Sequence, residues 1–165
     1  MAILSGQPQP PGMHVAQLNV GRAIDDLEGA TLAPFMQALD AINAVAERSD
    51  GFVWRYQTEA GNATDLKLTD DPRFIVNLSV WETPQALEHF VWQTVHRRFY
   101  ERKAEWFEPL AKPHFVMWWV PEGARPTPQE ALARLDLLQR QGSSQDAFGW
   151  EGLVALTRWR EARCG

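Results

Sequence analysis

Cysteine is nearly absent from the sequence, which has Cys164 as its single thiol among 165 residues. Because that residue stands next to the end of the chain, where termini usually fray, neither a disulfide nor a buried nucleophile is expected. The first residues lack the charged segment and apolar run of a signal peptide, and no later stretch approaches the ~18 apolar residues of a spanning helix. We therefore expect a cytoplasmic protein without a membrane partner.

Positive charge is also scarce, since 16 Lys and Arg stand against 21 Asp and Glu and leave a net charge of -5. No basic stripe is long enough to offset a phosphate backbone, so nucleic acid is not an expected partner. A chain of this length suits one domain with an ordinary core.

Tryptophan, in contrast, is abundant, with eight copies. Each indole brings a large apolar surface and one N–H donor. A cluster of them is typical either of a thick core or of a site for flat, partly polar ligands. Composition does not choose between the two.

The predicted elements follow the order strand, helix, strand, strand, helix, strand. Alternation of apolar and polar residues predicts strands in HVAQLNV, FVWRYQT, RFIVNLSVWE and HFVMWWV. Helical spacing predicts one helix capped by Thr31 and a second that starts at Thr83 and Pro84 and ends before Pro113. This order is typical of an α+β, ferredoxin-like βαββαβ fold, with a four-stranded antiparallel sheet and both helices on one face.

The predicted elements divide the chain into three segments. Residues 1–12 are rich in Pro and Gly and are predicted to form a flexible N-terminal arm, and residues 13–123 form the ferredoxin-like domain. In residues 124–165, Thr127, Pro128 and Glu130 begin an extra helix that ends at Gly142 and packs on the same domain. After it, AFGW reads as extended and LVALTRWREAR as helical.

The two faces of the predicted sheet differ in chemistry because alternate strand residues point to opposite sides. One set is uniformly apolar and suits the two helices: Ala16, Leu18, Val20, Phe74, Val76, Leu78, Val80, Val116, Trp118 and Val120. The opposite set, called the mixed face below, combines aromatic and polar residues: Gln17, Asn19, Ile75, Asn77, Ser79, Trp81, Phe115, Met117 and Trp119. On the second strand, Arg55 pairs more naturally with the mixed face than Trp54 does.

Two interpretations of the mixed face remain open. An exposed apolar patch of this size usually marks an interface or a ligand groove. In the first interpretation, two such sheets face one another in a homodimer and the polar residues hydrogen-bond across the interface. In the second, the face forms a partly enclosed pocket with a few polar groups among aromatic walls, as small-molecule sites usually do.

The second helix carries the remaining candidates for chemistry. His96 and Tyr100 flank its apolar stripe four residues apart, so their side chains can touch. His96 is either a structural hydrogen-bonder or a general acid or base, because an unperturbed imidazole titrates near neutral pH. The spacing of His89 and His96 separates their backbones by about 10 Å, so no metal site is predicted.

Several segments together resemble a bacterial family of unknown function, DUF3291: GFVWRYQ, VNLSVWE, the stretch ending in EWF, WWVPEG, and PTPQEALARLDLLQRQG with the later AF. The resemblance covers nearly the whole chain after residue 13. It implies membership of the dimeric α/β-barrel superfamily, which is similar to antibiotic-biosynthesis monooxygenases, haem-degrading monooxygenases, chlorite dismutases and muconolactone isomerases. Two ferredoxin-like sheets would then pack face to face.

The resemblance also bears on a cofactor. Haem-degrading relatives use an asparagine on the first strand, a tryptophan and a later histidine on the second helix. Asn19 matches the first, whereas Phe90 and Tyr100 stand where the other two fall. Haem is therefore disfavoured and no cofactor is expected.

The resulting hypothesis is a homodimer that binds a small aromatic or conjugated molecule, with a cofactor-independent monooxygenase or an isomerase as the reaction types if it is an enzyme. The predicted ligand-binding residues are Asn19, Arg55, Asn77, Trp81, Met117 and Trp119. Arg55 would orient a carboxylate or phenolate oxygen, the two tryptophans would stack, and His96 with Tyr100 would transfer protons. The alternative is a non-catalytic dimer, ligand carrier or sensor in which the same residues satisfy one another.

Overall fold

The computed structural model describes residues 9–57, 73–93, 101–109 and 112–150. In these ranges the strands are β1 (Met13–Arg22), β2 (Phe52–Arg55), β3 (Phe74–Trp81) and β4 (Phe115–Pro121), and the α-helices are α1 (Ala33–Arg48), α2 (Pro84–Gln93) and α3 (Pro128–Gln141). A short 3-10 helix covers Lys103–Glu105. Within the same ranges, no helix combines the length and the apolar character that crossing a membrane requires.

The four strands form one antiparallel sheet in the order β2-β3-β1-β4. β1 is central, and its Val15 pairs with Trp81 on one side and Trp119 on the other. The element order and the strand order together are those of a ferredoxin-like fold, so the predicted α+β, βαββαβ architecture is confirmed.

The predicted assignment of strand residues to the two faces is also correct, because the register pairs residues that were assigned to the same face. Gln17 pairs with Ser79 and Met117, and Leu18 pairs with Leu78 and Val116. A bulge between Phe52 and Trp54 modifies β2. Since the bulge resets the alternation, Phe52 and Arg55 both lie on the mixed face, while Trp54 packs on the apolar one.

The prediction that the apolar face meets the first two helices is wrong. Ile42 and Ala46 of α1, with Leu87 and Phe90 of α2, instead pack with the aromatic residues of the mixed face. Their helices therefore cover the face that we expected to be free.

The apolar face is covered by α3, which the sequence presented as an appendage. Ala131, Leu135 and Leu138 form a continuous stripe that packs on strand residues such as Leu18 and Trp118. The predicted caps of α3 are confirmed: Thr127 Oγ1 accepts a hydrogen bond from the Glu130 amide at 3.1 Å, and Gly142 ends the helix with φ 75°. The all-apolar stripe of α3 matches the all-apolar sheet face, which explains why α3 covers this face and α1 and α2 cover the other one.

The first helix begins differently from the prediction. Its N-cap is Leu32, and Thr31 Oγ1 donates to Asp25 Oδ2 at 3.2 Å instead of capping the helix. At α2 the predicted cap is correct, since Thr83 Oγ1 accepts from the Ala86 amide at 3.1 Å.

The chain after α2 departs from one continuous helix ending before Pro113. After the 3-10 helix at Lys103–Glu105, Phe107 makes an isolated β-bridge to Ala23. Trp106 is buried in a separate cluster with Ala23 and Leu32. The strand-like contact with the loop after β1 therefore replaces the last helical turns.

The segment after α3 extends the sheet, as AFGW predicted. Phe148 exchanges two backbone hydrogen bonds with Met117, at 2.7 and 2.9 Å, and its ring lies 5.2 Å from that of Trp119. The predicted helical segment LVALTRWREAR lies outside the described residues.

The structural premise of the homodimer prediction, a free mixed face, is wrong because α1 and α2 cover that face. The homodimer itself stays a prediction, supported by the resemblance alone. It would need a surface other than the mixed face.

Candidate functional site

A cavity of about 290 Å³ lies between the mixed face and the helices α1 and α2. It exists because α1 presents small and polar residues, Ala46 and Asn43, where larger side chains would fill the space. The described lining residues come from every strand and α-helix, from the two residues before β4 and from the segment after α3: Gln17, Asn19, Ile42, Asn43, Ala46, Phe52, Arg55, Asn77, Ser79, Trp81, Leu87, Phe90, Val91, Trp92, Pro113, His114, Phe115, Leu138, Gly149 and Trp150.

A hydrogen-bonded network forms the sheet side of the cavity. Gln17 Nε2 donates to Asn77 Oδ1 at 2.9 Å and to Ser79 Oγ at 2.8 Å. Trp81 Nε1 also donates to Ser79 Oγ, at 2.9 Å. Buried polar groups cost free energy unless they are paired, so this network fixes the rotamers of the floor and holds the Trp81 indole in place.

Aromatic rings form the apolar walls. Trp81 is 1% exposed, stacks on Phe90 with ring centroids 5.3 Å apart, and meets the edge of Phe52 at 5.4 Å. On the β4 side, Phe115 stacks on Trp150 at 5.2 Å with an angle of 11° between the rings. Phe115 and Trp150 are partly exposed, so their flat faces can accept a planar apolar ligand, whereas the buried Trp81 supports the wall from within.

Polar residues mark the outer end of the cavity. Asn77 is exposed and Asn19, its partner across the β1–β3 pair, is partly exposed. Arg55 is largely buried, and its guanidinium donates to Glu47 Oε1 at 2.9 Å. The Arg55 charge is thus already balanced by a carboxylate, which weakens its predicted attraction for an anionic ligand.

Asn43 contributes a polar group from the helix side. It lies on the buried face of α1 with Leu39, Ile42 and Ala46, and only 7% of its surface is exposed. No hydrogen bond joins its carboxamide to another residue of the described ranges, whereas Gln17 Nε2 on the sheet floor donates to Asn77 and Ser79.

His114 is the imidazole among the described lining residues. Partial burial lowers its pKa, and the positive charge of Lys103 lowers it further. A neutral imidazole at neutral pH can accept a proton from a bound phenol or enol.

We expect the His114 imidazole to titrate below its usual pKa of 6.5 in an NMR titration of the folded protein. Because the unfolded chain then binds more protons than the folded one, stability falls as the pH decreases through 6.5 towards the folded pKa, and stays level below it. His114→Gln should flatten this part of the stability profile, and Lys103→Gln should raise the His114 pKa. A pKa at or above 6.5 in the wild type would contradict the prediction.

Of the residues that the sequence analysis selected, Asn19, Arg55, Asn77 and Trp81 line the cavity together. Met117 and Trp119 are not among its described lining residues; Met117 is fully buried and Trp119 packs on Phe148. His96 and Tyr100 lie outside the described residues, so their proton-transfer role stays a prediction. In the described ranges, no group of three or more His, Cys, Asp or Glu side chains is placed to hold a metal ion.

Sequence reasoning missed Asn43, His114 and Trp150. Asn43 carried a signal, since it stands four residues after Leu39 and three before Ala46, on the apolar stripe of α1. His114 and Trp150 carried none, because their positions depend on how the ends of β4 and of the last described segment meet.

Comparisons with known proteins give a family and no activity. The chain matches the family model described as Domain of unknown function (DUF3291) over residues 14–164. No functionally curated protein matches it. A crystal structure of a protein of unknown function from Nitrosomonas europaea is similar at 10% sequence identity and a TM-score of 0.45, over 72% of this chain and 98% of that one. A likeness at that level carries no argument about function.

Proposed function

We propose, for a chain that belongs to the DUF3291 family of unknown function, that it binds a small aromatic or conjugated molecule in the cavity between the mixed face and α1 and α2. The observation that carries this proposal is the cavity itself: about 290 Å³ of space next to an otherwise closely packed aromatic cluster. Ligand sites are clefts or cavities of about 300–1,000 Å³, and a few polar groups among aromatic walls are typical of them.

The charge balance of the lining favours a neutral or weakly acidic ligand. No carboxylate is among the described lining residues, Arg55 is paired with Glu47, and the lowered pKa of His114 keeps it neutral. A cationic ligand would find no carboxylate among the described lining residues, and a permanently charged anion would have to compete with Glu47.

A more specific part of the proposal is that the protein is a cofactor-independent monooxygenase or an isomerase. This part rests on the family resemblance described in the sequence analysis. Among the described lining residues, His114 has the chemistry to remove a proton, and the proposal needs no cofactor. The alternative, a non-catalytic ligand carrier or a structural dimer, needs none of this chemistry.

Blocking the outer end of the cavity tests ligand binding. We expect naphthalene to shift the indole N–H resonance of Trp81 in the wild type, and Asn77→Trp to abolish this shift because the indole would fill the entrance. Asn77→Ala is the matched control, since it loses the same Gln17 hydrogen bond while leaving the entrance open. Equal binding by all three proteins, or by none, would contradict the proposal.

Native and denaturing mass spectra of the protein purified without added ligand test the natural occupant and the oligomeric state. A small adduct that is lost on denaturation would give the mass of the ligand. A dimer would support the predicted self-association, and a monomer would contradict it.

A further inference from the structure

The carboxamide of Asn43 is an unused recognition group within the proposed binding cavity. Its residue is 7% exposed, lies on the sheet-facing side of α1 and lines the cavity. Among the described residues it has no hydrogen-bond partner, and its amide atoms are not among the fully buried unpaired ones, so they remain accessible from the cavity. On the sheet floor, Gln17 Nε2 is directed at Asn77 and Ser79 and is not available to Asn43.

A carboxamide has an oxygen that accepts and an NH2 that donates, side by side in one plane. Its full complement is a ligand edge that carries an adjacent donor and acceptor, such as a cyclic amide. The aromatic walls favour an edge that belongs to a flat ring system, and the charge balance of the described lining residues favours a neutral one. The partly exposed rings of Phe115 and Trp150 provide the stacking wall, since Trp81 is 1% exposed and already stacks on Phe90.

We infer that Asn43 is a specificity-determining residue that selects planar heterocycles with a neutral donor–acceptor edge, of the cyclic-amide class. This inference rests on the proposed function, since it names the ligand class of the same cavity. Asn43 holds the edge by paired hydrogen bonds while the ring lies between the aromatic walls. Ligands of the same shape without such an edge would leave the carboxamide unpaired and bind more weakly.

Two probes of similar shape test the inference: 2-quinolone, which has the donor–acceptor edge, and naphthalene, which has no polar edge. Their affinities are measured by protein-detected NMR titration. For the wild type we expect 2-quinolone to bind about tenfold more tightly than naphthalene, the gain from well-made paired hydrogen bonds to a buried amide. Asn43→Leu should bring the two affinities to within about twofold by weakening 2-quinolone alone, since Leu is close to Asn in shape and cannot form these hydrogen bonds.

Gln37→Leu is the matched control, because it removes an amide from the exposed side of the same helix and should leave the tenfold preference intact. Asn43→Ala is a second variant, which removes the carboxamide without any steric conflict that Leu would introduce. If naphthalene binds the wild type but the preference is absent, or survives in both Asn43 variants, the inference is overturned and the proposed function stands. If neither probe binds the wild type, the proposed function is overturned together with it.

Discussion

Replacing Gly51 with Ala is expected to destabilise the fold by about 2–4 kcal/mol, because the new methyl group meets both a strained backbone and a clash. Gly51 has φ +84°, a conformation that L side chains rarely adopt, and a Cβ there would lie 2.5 Å from the Cβ of Ala86 in α2. Its carbonyl also accepts a hydrogen bond from Glu82 at 2.7 Å, so the loop cannot move away freely. Urea denaturation measures the change in the free energy of unfolding.

Gly123 supplies the matched control for this prediction. It has almost the same backbone angle, φ +85°, but nothing lies within 4 Å of an added Cβ. Gly123→Ala should therefore lose only the conformational part, about 1 kcal/mol. In the double variant Gly51→Ala with Ala86→Gly, the removal of the clash should recover part of the loss. Equal losses for Gly51→Ala and Gly123→Ala would show that the contact with α2 is unimportant.

Replacing Trp81 with Ala is the second change with a large expected effect, about 3–5 kcal/mol of lost stability. The indole is 1% exposed, stacks on Phe90, packs against Phe52 and donates to Ser79 Oγ. Its removal enlarges the cavity, exposes ring faces and leaves the network on the sheet floor incomplete. Thermal and urea denaturation of the same samples measure the loss.

Trp81→Phe and Trp119→Ala separate the contributions to this effect. Phe keeps most of the packing but cannot donate to Ser79, so Trp81→Phe should lose less than half as much as Trp81→Ala. Trp119 is partly exposed and packs on Phe148 at the far side of the same face, so its truncation should be milder. A loss for Trp81→Ala no larger than that for Trp119→Ala would contradict the central position assigned to Trp81.

The strands and their two faces were predictable from sequence because a period of two needs no knowledge of tertiary contacts. Gln17, Asn77 and Trp81 fell on one face and Leu18 and Leu78 on the other, as the register confirms. The choice of covering helices was not predictable in the same way. Both faces offer apolar side chains, and α3 competes with α1 and α2 for the more apolar one.

The cavity was only partly predictable. Its strand-borne residues Asn19, Arg55 and Asn77 could be grouped by alternation, although the bulge in β2 that places Phe52 beside them has no clear sequence signal. The volume of the cavity depends on how α1 packs over the sheet. A single sequence does not specify the position of a helix to within the width of a side chain. For the same reason, the role that we infer for Asn43 could not be predicted from the sequence. It depends on the burial of this residue and on its lack of hydrogen-bond partners among the described residues.

The central position of β1 has a consequence for how the chain reaches its native state during synthesis. β1 is made first, yet one of its neighbours, β4, follows both covering helices along the chain, and contacts between such distant segments are slow to form. Until β4 has emerged from the ribosome, one edge of β1 is unpaired, and the apolar side chains of Ala16, Leu18 and Val20 lack the cover of α3, which follows β4. The nascent chain is therefore expected to expose an unpaired strand edge until β4 is made, and an edge of this kind is prone to aggregation during that period.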